Sequence, residues 1–498
     1  MPTSKEINAL AKQGQTQEAY EMALADYSAE PENVWNQRKI GWALYYLIKK
    51  EVEEHDETNL FKHLEELNSL SLLNPADDAL IFENLLWKIA EYVKEQARGD
   101  ENKLNQIFLF LKSHSFQSSK GYSYLLRVFI AQDTWTSLKE FLEWWNLDHL
   151  LAEDYEQFQL QNGKKIMSLA EQVYIAQSKV LLASRDRDAI LEFIPKLERL
   201  MDEHPDMLYP GYFCGKLLMA TGAERDEALD AVMPFVQKKK TEFWVWQLLA
   251  ELFKDEPDTQ LACYLRAVHC HTQETFIGKI RMKLVEIYAN RGELSRAKFH
   301  LDKVTHCYLQ QGWHLPFALQ NIIRQGWVNT TQADPSDGLD YKPLTDAILC
   351  RDANESLAIV AYIDNNRHAA SLIYGFKKRT LIKLSQLPQH VREGYLLKLK
   401  WTPGSDDRIN LVGTSSANKA DIADLNYIRE LHGTCQIKGE NPFAFLKAGG
   451  LSCFISPAQV QKSHLQNGDT VTVLAALNYN NKKADWTWSA ITVKKQDL

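Results

Sequence analysis

Cysteine and long apolar runs are scarce in this 498-residue sequence. The seven cysteines are odd in number and have no paired spacing, which favours free thiols in a reducing cytoplasm over a disulfide-rich secreted fold. No apolar run reaches the roughly 18 residues that a membrane helix needs. The first residues lack the apolar core of a signal peptide. We therefore expect a cytoplasmic protein with no membrane segment.

Motifs for catalysis and cofactor binding are also missing. The sequence has no Walker loop, dinucleotide-binding glycine pattern, His-Glu-x-x-His or nucleophile elbow. His269-Cys270-His271 offers ligand types that suit zinc. Neighbours on one helix point about 100° apart, however, so a single helix cannot direct all three at one ion. We predict structural packing here, with zinc binding as the minor alternative, and a non-enzymatic protein with neither metal nor cofactor.

Length and charge indicate several domains of different character. A chain of 498 residues is too long for one hydrophobic core, and about three domains are expected. The net charge is −8 overall, yet residues 341–412 carry +4 and residues 431–498 carry +3. An acidic front part followed by mildly basic small domains is compatible with a nucleic-acid surface carried on a soluble scaffold.

The first 328 residues have the periodicity of helices. Proline and glycine are sparse, and apolar residues recur at three- and four-residue spacing. Ala228, Ala262 and Ala297 lie 34 and 35 residues apart. This spacing resembles the tetratricopeptide repeat, a helix–turn–helix of about 34 residues. The resemblance implies an α-solenoid over 1–328, irregular in its middle part, with a concave face that binds a protein partner.

Two clusters in this helical region leave alternatives open. The tryptophans of Trp144-Trp145 and of Phe243-Trp244-Val245-Trp246 either fill the repeat core, which we favour, or form a binding site for the partner. Lys238-Lys239-Lys240 is interpreted as a solvated turn, with a phosphate contact as the alternative.

Strand patterns replace helical ones after a polar linker at 329–340. Short alternating segments predict four strands, which together define a small β domain at 341–412. The segment 391–399 can be laid over 465–473, because in both a glycine leads into an alternating strand. We interpret this domain as an OB-like barrel, a diverged copy of the last domain, joined to it by a connecting helix and linker at 413–430. The predicted strands are 356–363, 370–376, 380–384 and 395–401.

The last domain, 431–498, combines short strands, glycine turns and aromatic pairs. Alternation places Phe443 and Phe445 on one face of a strand. Phe443-Ala444-Phe445-Leu446, Phe454-Ile455-Ser456-Pro457 and Gly468-Asp469-Thr470-Val471 follow in order. This series resembles the cold-shock-type OB domain of RNase II-family exoribonucleases, with Ala444 in place of a family glycine. The resemblance implies a five-stranded barrel that binds single-stranded nucleic acid.

The predicted contacts with nucleic acid are rings and lysines of this domain. As the resemblance implies, exposed rings would stack on bases and lysines would meet phosphates. The alternative is that some rings fill the barrel, and we expect Phe454 or one tryptophan to be core. The predicted stacking rings are Phe443, Phe445 and Phe454, the predicted phosphate contacts are Lys438, Lys447, Lys482 and Lys483, and Trp486 or Trp488 would add a platform at the rim.

The sequence therefore predicts a multidomain α plus β protein, a helical repeat domain followed by two small OB-like or cold-shock-like barrels. The predicted function is a non-enzymatic adaptor that holds single-stranded RNA or DNA, with RNA favoured, and a protein partner. Bacterial RNA metabolism, stress response or phage defence is the expected setting. The alternative is a scaffold or regulator whose β domains bind protein only, since OB barrels also serve that purpose.

Overall fold

The computed structural model describes residues 4–160, 163, 165–270, 272–404, 408–439, 442–480 and 484–496. The chain divides into two compact units, Met1–Phe235 and Val236–Leu498. Helices make up the first part of the chain and two five-stranded sheets the last part, one of them a closed barrel. The predicted α plus β class, a helical region followed by β domains, is confirmed.

Several helices of the first unit begin at a side chain that caps them. Asn33, Asp56, Asp100, Ser119 and Asp186 each accept a hydrogen bond from a backbone N–H of the first turn, which satisfies groups that the helix leaves unpaired. The helices are α1 Ser4–Lys12, α2 Thr16–Ala29, α3 Val34–Glu54, α4 Glu57–Asn68, α5 Ala79–Glu95, α6 Glu101–Lys112, α7 Lys120–Phe129, α8 Leu138–Trp145, α9 Leu169–Ser184, α10 Arg187–Glu203, α11 Tyr209–Thr221 and α12 Arg225–Lys238, and a two-stranded ribbon of β1 Phe158–Gln159 and β2 Lys165–Ile166 precedes α9.

Small residues let α11 and α12 of this unit pack closely. Ala228 is buried, and a Cβ added at Gly215 would overlap the side chain of Val232, so the two helices approach closely. Gly222 ends α11 with a positive φ of 78°, a conformation that glycine adopts without strain. Trp145 is fully buried, as expected for a core residue.

The second unit continues the helices before its sheets begin. Ala262, Ala297 and Trp246 are fully buried, which confirms the interpretation of Trp246 as core. The helices are α13 Phe243–Leu252, α14 Pro257–Val268, α15 Glu274–Asn290, α16 Leu294–Gln310, α17 Phe317–Ile323, α18 Gly326–Thr330 and α19 Tyr341–Leu349.

The predicted linker 329–340 is packed against these helices. The Tyr288 hydroxyl donates a hydrogen bond to the Asp337 carbonyl at 2.6 Å, and the Asp337 carboxylate lies 2.8 Å from His269 Nε2. His269 also stacks on Tyr341, with ring centroids 5.1 Å apart. The helix α19 occupies the start of the predicted β domain at 341, and it packs against α14. The β domain therefore begins later than predicted.

The first sheet contains the four predicted strands and a fifth that the sequence analysis missed. All five are antiparallel, in the order β5-β4-β3-β6-β7. The missed strand is β7, which glycine and a run of hydroxyl residues make irregular in pattern. The strands are β3 Asn354–Asp364, β4 Ala369–Gly375, β5 Lys378–Lys383, β6 Leu396–Pro403 and β7 Ile409–Ser416.

Lys240 contradicts the interpretation of the lysine cluster as a solvated turn. Its Nζ donates to the carbonyls of Leu411 and Val412 in β7, at 3.3 and 3.1 Å. Burial, followed by the charge of Arg266, lowers the pKa of Lys240. This lysine therefore docks the first sheet against the preceding helices.

The second sheet closes into a barrel in the order β10-β12-β11-β8-β9. Its third and fifth strands, β10 and β12, are parallel, and the other pairs are antiparallel. Short α20, Pro457–Lys462, lies between the third and fourth strands. This is the topology of the OB fold. The strands are β8 Ile428–Gln436, β9 Ala444–Ala448, β10 Leu451–Ile455, β11 Thr470–Asn480 and β12 Asp485–Lys495.

The two sheets share one strand order. Numbered from its own first strand, each runs third, second, first, fourth, fifth. Within the described ranges, however, β5 and β7 do not pair, so the first sheet stays open where the barrel closes. The prediction of an OB-like domain is right in strand order, and the prediction of a closed barrel is not met in this first sheet.

The connecting helix predicted within 413–430 is reduced to a single 3-10 turn, Ala420–Ile422. The strand β8 already begins at Ile428. Tyr427 and Ile428 are buried in an apolar cluster between the two sheets, and this burial draws the segment into the barrel instead of a helix.

Two further expectations concern the whole chain. All seven cysteines are free thiols, five of them buried. In the part of the chain that the structure describes, no helix has the length and apolar character needed to span a membrane.

Candidate nucleic-acid interface

A tight hairpin places three phenylalanines on the outside of the barrel. Gly449 and Gly450, both with positive φ, turn β9 into β10. Leu446 lies opposite Cys453 in the ladder, and both are fully buried in the barrel core. Alternation then directs the next pair, Phe445 and Phe454, to the outer face.

The three rings contact one another. Ring centroids are 5.8 Å apart for Phe443–Phe445, 5.7 Å for Phe443–Phe454 and 5.8 Å for Phe445–Phe454. Each ring is partly exposed, and none belongs to the barrel core. We call these three residues the aromatic triad. The structure thus places Phe454 with the pair outside the barrel and not in its interior.

One lysine lies on the same outer face as the triad. Lys447 follows Phe445 by two residues and is exposed, and its Nζ lies 3.3 Å from the Ser452 hydroxyl on β10. Lys438 is exposed in the segment that joins β8 to β9. Lys482 and Lys483 lie outside the described residues. Lys447 therefore supplies positive charge on the face that carries the rings.

The outer face continues across β8 with polar side chains that the sequence analysis missed. Gln436 lies opposite Phe445, and Thr434 opposite Lys447. On the next strand, Thr472 Oγ1 is 2.9 Å from His432 Nδ1. Those on β8 could have been identified from the sequence, because exposed positions alternate with buried ones on either side of Cys435. They place hydrogen-bonding groups next to the stacking rings.

The carboxylates on this part of the barrel are paired. Asp469 lies 2.9 Å from Lys495, and Glu430 forms an ion pair with Lys419. The Gln466 N–H and then Lys495 lower the pKa of Asp469, because both stabilise its charged form. Neither acid presents an uncompensated negative charge to an approaching phosphate.

The two tryptophans of β12 are used for packing. Trp488 contacts both the barrel core and the apolar cluster between the sheets, and Arg429 lies over its ring at 5.5 Å. Trp486 packs on the same cluster and meets Tyr479 edge to face at 5.7 Å. A tryptophan in the core was expected, and Trp488 is that residue. Only part of each ring is left for a ligand.

The two thiols inside the barrel are shielded from the candidate site. The interior thiols Cys435 and Cys453 are buried, and burial raises the pKa of Cys453 to about 12, which keeps it protonated. Among the residues that the structure describes, no group of three or more His, Cys, Asp or Glu is placed to hold a metal ion. His271 lies outside those residues.

Comparison with protein families separates the barrel from the helices. Residues 429–493 match the family described as S1/CSD-like domain 2 of the TOTE conflict systems. This range runs from the first strand of the barrel to the last. The C-terminal barrel is an S1/CSD-like domain. Its aromatic triad lies on the second and third strands, the face that OB folds use for oligonucleotides.

The helical part has a second match. Residues 208–346 match a family described as a domain of unknown function, DUF7017. The match ends inside α19, which agrees with the packing of α19 on the helices. It does not name tetratricopeptide repeats, so that resemblance stays a prediction. No curated protein matches the chain.

Proposed function

We propose that this protein is a non-enzymatic adaptor that holds single-stranded nucleic acid on its S1/CSD-like domain and a protein partner on its helices. The observation that carries the proposal is the aromatic triad, three mutually touching rings on the outer face of strands two and three. Large apolar rings are usually withdrawn from water. Three partly exposed rings in mutual contact on a barrel of this topology offer a platform for unpaired bases.

The charged and polar neighbours support the same function. Lys447 stands beside the triad, and the two barrel carboxylates described above are paired. Phosphates can therefore lie along the lysine side while bases stack on the rings. Gln436 has both a donor and an acceptor, and it is placed to contact a base edge next to Phe445.

RNA is the favoured ligand on the resemblance to exoribonuclease cold-shock domains. The family match extends the proposal to a setting. Because the matching family is named for conflict systems, we propose that the protein acts in such a system.

The helices are the proposed site of the protein partner. In the first unit, a groove between α7, α8 and α9 is lined by apolar residues such as Ile130 and Ile175, and its charged lining residues are Arg127, Lys179 and Asp133, two basic and one acidic. An apolar groove with basic side chains suits an amphipathic segment that carries acidic residues.

The test of the nucleic-acid proposal is a titration of labelled 12-nucleotide RNA and DNA against the full chain. Phe443→Ala/Phe445→Ala should weaken binding at least about 30-fold, because each stacked ring contributes about 1–3 kcal/mol. Circular dichroism should be unchanged, since both rings lie outside the core. Phe317→Ala, in an exposed helical ring, is the matched control and should bind like the parent.

Salt dependence separates this function from a scaffold that binds only protein. Phosphate contacts release counterions, so log affinity should fall linearly with log salt concentration. If the double variant and the parent bind both oligonucleotides with equal affinity, the triad is not the site and the nucleic-acid proposal fails.

A further inference from the structure

We propose that the junction of the two β domains is a second contact surface for the same nucleic-acid strand, an inference that rests on the proposed function. The surface consists of Tyr362, Arg379, Leu381 and Lys383 of the first sheet, joined to Asn478 of the barrel. We call it the junction surface.

A row of side chains crosses the outer face of the first sheet at this place. Tyr362 on β3 lies opposite Ser371 on β4, and Ser371 lies opposite Leu381 on β5. Tyr362 is 55% exposed and Leu381 is 57% exposed. By strand order, β4 and β5 correspond to the two barrel strands that carry the aromatic triad. The first sheet therefore presents an exposed ring and an exposed apolar side chain on the equivalent face.

Only the far end of this face is available to a ligand. Ile359 and Ile373, on the same face as Tyr362, are buried in the apolar cluster between the sheets together with Leu474 and Leu477 of the barrel. Barrel and sheet thus cover each other over one half of the face. The row of Tyr362 and Leu381 begins where that cover ends. A nucleic-acid strand bound to the barrel can therefore continue onto the first sheet and stay in contact with protein.

Arg379 joins the row to the barrel. Its Nε donates to Ser371 Oγ at 2.6 Å, and its Nη1 donates to Asn478 Oδ1 at 2.9 Å. Asn478 lies in β11, one residue before Tyr479, which is itself exposed. The guanidinium therefore fixes the sheet row and the end of β11 in one surface.

The charge of the junction surface suits a polyanion. Lys383 follows Leu381 by two residues, points to the same face and is exposed. Among the described residues it has no ion-pair partner. Asp364, two residues after Tyr362, lies 3.6 Å from Arg367, whose side chain is mostly exposed. A ligand with repeated phosphates and flat bases can use the lysine and the ring together.

Length dependence tests this inference, because one OB domain covers about 4–16 nucleotides. The full chain is titrated with labelled oligouridine RNA of about 6 and about 25 nucleotides. The parent should bind the longer strand more tightly, since a tethered second contact raises the effective concentration. Tyr362→Ala/Lys383→Ala should reduce affinity for the longer strand about tenfold and leave the shorter strand unaffected. Phe276→Ala/Lys279→Ala, an exposed ring and lysine on α15, is the control.

The outcomes separate the two proposals. If the junction variant binds both lengths like the parent while Phe443→Ala/Phe445→Ala loses both, the inference is overturned and the proposed function stands. If neither variant changes either affinity, the proposed function is overturned as well. If the junction variant keeps its RNA affinity but loses binding to a polyglutamate probe, the surface is a site for acidic peptides and the inference is wrong.

Discussion

The two β domains follow one strand order but differ in closure. In the barrel, the third and fifth strands pair through Cys453–Trp488 and Phe454–Ser489. In the first sheet, β5 is followed by the turn Leu384–Gln386. Leu384, Leu387 and Val391 then pack on the sheet core. A loop with apolar side chains covers the core there, where the barrel uses strand pairing.

Packing between the two domains decides how much of each outer face stays exposed. In the first sheet both faces of β4 are used, because Ala370 and Leu372 enter the sheet core and Ile373 enters the cluster between the sheets. In the barrel the equivalent outer face holds the aromatic triad, whose three rings are partly exposed. Equal topology thus leaves unequal exposed surfaces, because packing between the domains covers part of the outer face of the first sheet.

The largest expected difference in stability between the two domains comes from substituting a glycine in the barrel. A Cβ added at Gly433 would overlap the carbonyl of Lys447 on the adjacent strand, where the close backbone approach needs glycine. Gly433→Ala should destabilise the barrel by about 3 kcal/mol. Hydrogen exchange measured by mass spectrometry should show loss of protection in β8 and β9.

The open sheet provides the control. A Cβ at Gly413 would make an ordinary contact of 3.8 Å with Cys350 Sγ. Gly413→Ala should change stability by no more than about 0.5 kcal/mol. Equal loss of protection in both variants would show that closure places no special demand on Gly433.

The next effect tests whether the two domains stabilise each other. Leu477 of the barrel is buried in the cluster with Ile359 and Ile373 of the first sheet. Leu477→Ala should cost about 2–4 kcal/mol, through lost burial and a residual cavity. Exchange should accelerate in β3 and β4 as well as in β11. Faster exchange confined to the barrel would mean that the domains are energetically independent.

A smaller effect is expected in the helices, whose stability should depend on pH through His300. His300 is buried and accepts from Arg281 Nη1 at 3.0 Å, while Arg281 also binds Glu274. Burial, and then Arg281, lower the pKa of His300 from 6.5 to about 3. A depressed folded-state pKa means that the unfolded chain takes up the proton first, so stability falls as the pH drops below 6.5.

At pH 5 this loss should reach about 2 kcal/mol in the helices around His300. His300→Gln keeps an acceptor for Arg281 and should flatten the dependence between pH 7 and 5. Exchange of peptides within 274–310, corrected for intrinsic pH dependence, provides the measurement. An unchanged pH dependence in the variant would assign the acid sensitivity to another group.

The smallest expected effect concerns one phosphate contact beside the triad. Lys447→Ala should weaken RNA binding modestly and reduce the slope of log affinity against log salt by about 0.7. Lys283→Ala, in a helical lysine paired with Glu286, should leave the slope unchanged. A slope that stays constant in Lys447→Ala would exclude this lysine from the phosphate path.

Local pattern was enough to predict much of the barrel site. Alternation around Phe443 and Phe445, with a double-glycine turn following, defines an outward pair regardless of what surrounds the domain. The same alternation predicted the strands from β3 to β6. Such features depend on neighbours along the chain, and the sequence contains those directly.

Long-range packing could not be predicted in the same way. Lys240 donates to two carbonyl groups that lie 171 and 172 positions later in the chain. No local sequence pattern indicates these partners. From the sequence alone, Trp488 resembles an exposed platform. Its packing on the apolar cluster between the sheets involves residues far away in the chain. The predicted connecting helix failed for the same reason, because Tyr427 and Ile428 gain more from burial between the sheets than from a local helix.

Ultraviolet crosslinking of oligouridine RNA to the full chain, followed by peptide mass spectrometry, tests the central claim most directly. Zero-length crosslinks form only where a base stacks on or touches a side chain. We predict uridine adducts on the peptides that contain Phe443, Phe445 and Phe454, lost in the Phe443→Ala/Phe445→Ala variant. Adducts confined to other parts of the chain, with the triad unmodified at saturating RNA, would contradict the account.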